Sequence, residues 1–97
     1  MRDIPKNAVS MNHYVYVIES TIDGTLYKGY TTDYERRLQE HNSGESLYTS
    51  RKTPWVLRYV EMHASKTEAL KRELMFKKQS RRYFEWLFTQ STNILLG

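Results

Sequence analysis

No cysteine occurs among the 97 residues. That excludes disulfide cross-links and thiolate chemistry, and it makes the cytoplasm the expected compartment. Glycine is scarce and scattered, at positions 24, 29, 44 and 97. Such scatter forms no P-loop, no Rossmann fingerprint and no nucleophile elbow. The three histidines, 13, 41 and 63, show no zinc-ligand spacing. No apolar run approaches the roughly 20 residues of a membrane span, and no charged-then-apolar leader opens the sequence. Serine and cysteine nucleophile chemistry, zinc chemistry and membrane insertion are therefore without support.

What is present suits one folded domain. Apolar residues make up 39% and charged residues 27%, the balance of a globular chain. The length allows one modest core. A formal net charge of +4 says little alone, but its distribution says more. Lys66, Lys71, Arg72, Lys77, Lys78, Arg81 and Arg82 stand against only Glu68 and Glu73. Arg36, Arg37, Arg51 and Lys52 form a second group, and eight tyrosines and two tryptophans lie among these charges. Basic runs are commonly solvated helix faces, yet aromatic residues interleaved with them also suit base stacking and phosphate contact.

Residues 1–12 read as a mobile lead-in, with Met11 an alternative start. HYVYVIE (13–19) has strand composition, Asp23-Gly24 signals a hairpin turn, and LYKGY (26–30) is the return strand. Thr32-Asp33-Tyr34-Glu35 has the form of a capping box and predicts a helix from Thr32 to about Asn42, with Gly44 at the left-handed end position. A polar loop over 43–54 precedes a third strand, WVLRYVEM. A second capping box, Ser65 to Glu68, opens a helix through about Lys78. SRRYFEWLFTQ predicts a last helix packing Phe84, Leu87 and Phe88 inward, and 91–97 form a tail. The expected fold is α+β: a small three-stranded antiparallel sheet flanked by helices, in the order β-β-α-β-α-α, within one domain over 13–90.

Glu73 stands out. At about 100° per residue, Ala69, Leu70, Leu74 and Phe76 form one apolar arc with Glu73 near its centre, although Met75 on the opposite face blurs it. A carboxylate aimed into a buried stripe costs several kcal/mol unless a metal or a cation compensates it. The ordinary alternative is an exposed Glu73–Lys77 pair at i,i+4 spacing, worth a few tenths of a kcal/mol. His13 and His63, at strand ends, are expected at the surface.

YVY at 14–16, followed after ten residues by YKG at 27–29, resembles the paired motifs of the GIY-YIG nuclease superfamily. YTTDYERRLQEHNSG, RKTPWVLRYVE and KTEALKRE extend the likeness to the short stand-alone bacterial branch. The resemblance implies hydrolysis of nucleic-acid phosphodiesters with one divalent metal, Mg²⁺ or Mn²⁺. Carried over by motif, the catalytic residues are Tyr16, Tyr27, Arg37, His41 and Glu73, with Glu73 holding the metal. Arg37 would grip the scissile phosphate with its planar fork. Tyr27 would orient or deprotonate water, and a base role for a tyrosine needs nearby positive charge. Tyr16 would help position water or phosphate, and His41 would relay a proton or hold phosphate. Lys28, Arg36, Arg51, Lys52, Lys77 and Arg81 are the expected nucleic-acid contacts, Lys28 pointing to the opposite strand face from Tyr27.

This chain departs from the pattern in lacking the first motif's glycine and isoleucine. Tyr30 stands where larger members have lysine, and the only late asparagine, Asn93, is unassigned. The expected partner is DNA, with RNA as the alternative, in a repair setting, and a protein partner could supply specificity. A monomer or weak homodimer is expected. Two other readings stand: a non-catalytic nucleic-acid-binding module, and a protein-interaction domain using the 43–54 loop and exposed tryptophans.

Overall fold

Three short runs of β-branched and aromatic residues become the strands β1 (His13–Ser20), β2 (Leu26–Thr31) and β3 (Trp55–His63). The computed structural model describes residues 12–97; the expected lead-in, Asn12 apart, and the alternative start at Met11 lie outside the described residues. The strands form one antiparallel sheet in the order β2-β1-β3. Helices α1 (Tyr34–Asn42), α2 (Lys66–Phe76) and α3 (Arg81–Leu87) complete the α+β order expected from the sequence. Among the described residues, no helix is long and apolar enough to cross a membrane.

β1 is central, so both its faces are buried. Val15 and Val17 pack with Tyr59, Ala69, Phe76, Phe84, Leu87 and Phe88 beneath α2 and α3, which puts the three expected residues of the last helix inward. Tyr16 and Ile18 pack with Trp55 and Val60 on the other face, beside Tyr27 and Leu38. Period-two alternation along β1 thus sends successive residues into two separate cores.

Some local expectations need correction. α1 begins at Tyr34, not Thr32, because Asp33 is the cap: its carboxylate accepts from the Arg36 amide at 3.1 Å. Thr31 turns the chain just before it, its hydroxyl accepting from the Asp33 amide at 3.1 Å. A reciprocal box is ruled out because the third helical residue is an arginine. Gly44, at φ +83°, does take the left-handed position, and Ser65 does cap α2, accepting from the Glu68 amide at 3.2 Å. α2 ends at Phe76 and α3 at Leu87, each a turn or less short of expectation. Trp55 is buried, donating to the Thr49 carbonyl at 2.9 Å, so only Trp86 is an exposed tryptophan. His13 and His63 are half-buried and bonded rather than free at the surface. His13 Nδ1 lies 2.9 Å from the Tyr30 hydroxyl, and His63 Nε2 lies 2.6 Å from Glu61.

The largest correction concerns α2. Leu70 and Leu74 are 40% and 60% exposed, while Ala69 and Phe76 are fully buried. The helix is rotated about its axis from the apolar-arc prediction because Glu61 is buried on β3. Arg72 turns under the helix to meet that carboxylate, Nε to Oε2 at 2.7 Å and Nη2 to Oε1 at 3.2 Å. Burial alone would raise the Glu61 pKa, but hydrogen bonds from Arg72, Tyr59 and His63 overcome it and leave the pKa lowered. Glu73 therefore sits on the flank of the buried face, not at its centre.

Asn93 is buried at the opposite edge of the sheet from β2. Its Nδ2 donates to the Arg58 carbonyl at 3.1 Å and the Phe88 carbonyl at 3.0 Å. Its Oδ1 accepts from the Val60 and Leu95 amides, both at 3.2 Å. The register shifts beside Val17 and Ile18, leaving Arg58 as the extra residue of a bulge, and Asn93 bridges the edge at that point. Removing it strands buried backbone groups. Asn93→Ala is expected to lower the unfolding free energy by about 3 kcal/mol, read as a lower urea midpoint, with an unchanged midpoint refuting the clamp.

Candidate active site

Gly29 creates the site by having no side chain. It faces Tyr16 across the β1–β2 ladder. A Cβ placed there would lie 2.4 Å from the Tyr16 hydroxyl oxygen and 2.5 Å from its Cζ. The Tyr16 ring thus crosses the β2 backbone through a gap that only glycine leaves.

Beyond the gap, the Tyr16 hydroxyl meets His41 Nε2 at 2.8 Å. His41 Nδ1 lies 2.8 Å from the Thr49 hydroxyl, which itself reaches the Ser46 carbonyl at 3.5 Å. This network assigns the tautomer: Nδ1–H donates to Thr49, and Nε2 accepts from Tyr16. His41 is fully buried. Burial, and then the charge of Arg37, lower its pKa from 6.5 to about 4, so it is neutral at neutral pH. With no exposed surface it has no direct access to a phosphate.

Three side chains, besides burial, bear on the Tyr16 hydroxyl. Burial pushes its pKa well above the usual tyrosine value, and Tyr27 and Glu73 push the same way, while Arg37 pulls it down. They come from β2, α2 and α1. Glu73 is the weakest of these influences and reaches Tyr16 from α2, which packs on the opposite face of the sheet, with β2 the edge strand between them. Glu73 has a loose partner, Lys77 Nζ at 3.5 Å, and its side chain is 20% exposed. Arg37 donates to Glu40 Oε1 at 2.8 Å.

Tyr27 stands between His41 and Tyr48, with ring centroids 5.1 Å and 5.5 Å away. Among the described residues its hydroxyl makes no hydrogen bond, and it lines a cavity of about 320 Å³ with Leu26, Lys28, Tyr48 and Lys77. One tyrosine of the pair is therefore anchored and the other open.

Comparison with known proteins gives the same pattern a family. Residues 12–86 match the GIY-YIG catalytic domain. The chain belongs to the GIY-YIG family. A UPF0213 protein of Halobacterium salinarum is 52% identical over 77 residues, covering 78% of this chain and 99% of that one. A UPF0213 protein of Streptococcus agalactiae is 49% identical over 69 residues, 70% of this chain and 77% of its own. The solution NMR structure of the UPF0213 protein of Bacillus halodurans is similar with a TM-score of 0.54 at 42% identity, covering 84% of this chain and 87% of that one.

In this GIY-YIG domain the expected nucleic-acid contacts fall into two sets. Lys28 points away from Tyr27, its ammonium 5.4 Å from the Phe84 ring, and with Lys77 it borders the cavity. Arg36 lies exposed on α1, 3.8 Å from Glu40, and Arg51 is exposed in the turn Ser50–Lys52. Lys52 and Arg81 instead brace the β1–β2 hairpin. Lys52 meets Asp23 at 2.8 Å and Thr25 at 3.0 Å. Arg81 meets Glu19 and the Gly24 carbonyl, each at 2.6 Å. Sequence reasoning missed Thr49, Glu40 and Tyr48. The i,i+3 spacing of Arg37 and Glu40 was a usable signal; Thr49 and Tyr48, in an aperiodic loop, gave none.

Two outcomes follow. An imidazole with a folded pKa below its unfolded one binds fewer protons folded than unfolded, so stability rises with pH across that interval. His41 should therefore cost the fold about 3 kcal/mol as pH falls from 6.5 to about 4. Denaturation midpoints over that range should show the slope, and His41→Gln should flatten it. Gly29→Ala should displace the Tyr16 ring and cost about 2 kcal/mol by overpacking. Combined with Tyr16→Ala, its effect should nearly vanish; full additivity would show that the ring does not occupy that gap.

Proposed function

We propose that this GIY-YIG domain is a divalent-metal-dependent endonuclease that hydrolyses phosphodiester bonds in DNA in the cytoplasm, directed by substrate structure or by a protein partner. The supporting observation is the buried Tyr16–His41 contact at 2.8 Å, with the open Tyr27 hydroxyl beside it and the charges of Arg37 and Glu73 both felt at Tyr16. A carboxylate suited to a cation and a guanidinium suited to a phosphate, both partly exposed, thereby accompany a buried tyrosine–histidine pair.

The donor set suits one Mg²⁺ or Mn²⁺. Among the described residues, no three acidic, histidine or cysteine side chains gather as a metal centre. Mg²⁺ does not need one, since a carboxylate or two with waters and substrate phosphate oxygens satisfies it. Glu40 is committed to Arg37; Glu73, with only its loose lysine contact, is the carboxylate that could hold the ion. When bound, the ion would offset charge on the phosphoryl oxygens and ease deprotonation of water.

The chain's own residues would do the rest. Arg37 would exchange Glu40 for two phosphate oxygens, a geometry its fork matches. Tyr27, with an open hydroxyl, would orient the attacking water. Tyr16 keeps its proton in the free protein and presents it to a neutral His41. Positive charge arriving near Tyr16 would lower the phenol's pKa and that of His41 alike, so the neutral imidazole serves to orient the hydroxyl through Nε2.

Plasmid and branched DNA incubated with Mg²⁺ test this reading. Wild type should nick; Arg37→Ala should lose about 100- to 1,000-fold, Tyr27→Phe about 100-fold or more, and Glu73→Ala should be inactive. Absent nicking by wild type, or nicking untouched by Glu73→Ala, overturns it. Salt-sensitive binding without any cleavage would favour the non-catalytic module.

A further inference from the structure

The loop between α1 and β3 carries two apolar side chains that the fold leaves out. Leu47 is 92% exposed and Tyr48 73%. The stalk beneath them is firmly tied. Thr49 is fully buried and bonded to His41, and its carbonyl accepts from the Trp55 indole. Ser20 donates to the Lys52 carbonyl at 2.7 Å, and the Lys52 ammonium reaches Asp23 at 2.8 Å. One exposed leucine is ordinary, but adjacent apolar residues held outward on a fixed stalk beside a phosphate site fit a ligand with flat apolar faces.

The cavity that Tyr48 borders supplies the complementary chemistry. The Tyr48 ring leans on Tyr27 at 5.5 Å and an interplanar angle of 42°, and both line the 320 Å³ cavity with Leu26, Lys28 and Lys77. Burial lowers the Lys28 pKa, and the Lys77 charge adds to it. Among the described residues Lys28 has no carboxylate partner and Lys77 has only Glu73 at 3.5 Å. Two ammonium groups share one opening with less than a full counter-charge, so an anion there relieves their repulsion. Tyr27 is a wall shared between this cavity and the His41 cluster, which sets the anion next to the phosphate that Arg37 would hold.

We propose that this cavity receives an unpaired base of a DNA strand, stacked on Tyr48, with the adjoining phosphate between Lys28 and Lys77. Resting on the nuclease reading, this narrows the substrate class to DNA with unstacked nucleotides at the cleavage point: single strands, flaps or loops. Continuous duplex must give up a stacked base to enter, at a cost of a few kcal/mol. Leu47, at the tip, abuts the neighbouring base as a wedge.

The test is binding of fluorescein-labelled thymidine oligonucleotide, matched duplex and uridine ribo-oligonucleotide to the full chain in EDTA, where no cleavage intervenes. Wild type should favour the single DNA strand. Tyr48→Ala should weaken that binding about tenfold, leave the duplex within about twofold and leave the salt slope unchanged. Tyr48→Phe should restore affinity, and Lys28→Ala should lower the slope by somewhat less than one. Equal loss on single strand and duplex, no loss, no binding by wild type, or ribo-oligonucleotide binding as tight as DNA overturns the proposal. Because the assay is independent of turnover, a protein that nicks DNA but shows no Tyr48 effect removes the base pocket alone. One that binds through Tyr48 but never nicks removes the nuclease reading alone.

Discussion

The site depends on the passage of Tyr16 over Gly29. A central strand buries its side chains, and β1 is no exception: Val15, Tyr16, Val17 and Ile18 are all nearly inaccessible. A tyrosine there would ordinarily end inside the sheet's own core. The missing Cβ on β2 lets the ring run across the edge strand, so that a residue rooted in the central strand delivers its hydroxyl to His41 on α1 while staying buried. The hydroxyl is then fixed by His41, and His41 by Thr49. Positioning therefore comes from packing and a short hydrogen-bond chain, not from a flexible loop, and this suits a site that must hold reacting groups within a fraction of an ångström.

What holds Glu73 near the β2 edge is a different and more distant contact. The buried Glu61 draws Arg72 beneath α2, and that sets the helix's rotation. With Arg72, Ala69 and Phe76 turned to the sheet, Leu70 and Leu74 are left in solvent and Glu73 falls toward the β2 edge. Burying two leucines in place of an ion pair would be the cheaper choice for stability alone. The ion pair instead fixes one rotation, because a bidentate guanidinium contact has a direction that apolar packing lacks.

These two contacts also explain how much the sequence could reveal. The strands, the hairpin turn and the inward-facing Phe84, Leu87 and Phe88 were legible because composition and local period determine them. Ser65 as a cap was legible for the same reason; the first cap was misplaced because two adjacent side chains, Thr32 and Asp33, could each serve, and only the geometry of the turn at Thr31 decides between them. The rotation of α2 was illegible: it depends on a carboxylate on another strand, and Glu61 looks like any polar strand residue until the fold buries it. Tyr16, Tyr27, Arg37, His41 and Glu73 were read from motif spacing, but that spacing says nothing of Thr49 or Asn93. Each acts from an aperiodic segment whose partners are set by tertiary folding alone.

The free protein is also electrostatically at rest. Arg37 is neutralised by Glu40, the Tyr16 proton is held by a raised phenol pKa, and His41 is kept neutral by burial and by Arg37. Each of these conditions responds to charge arriving at the rim. An anion competes with Glu40 for the guanidinium. A cation at Glu73 opposes one of the charges that raise the Tyr16 pKa, although burial remains the larger cause. Anion and cation therefore push the phenol in opposite directions: an anion drawn to Arg37 weakens the charge that lowers its pKa, and a cation at Glu73 offsets a charge that raises it. In the proposed reaction the metal thus offsets what the phosphate adds, and the hydroxyl keeps the contact with His41 that positions it.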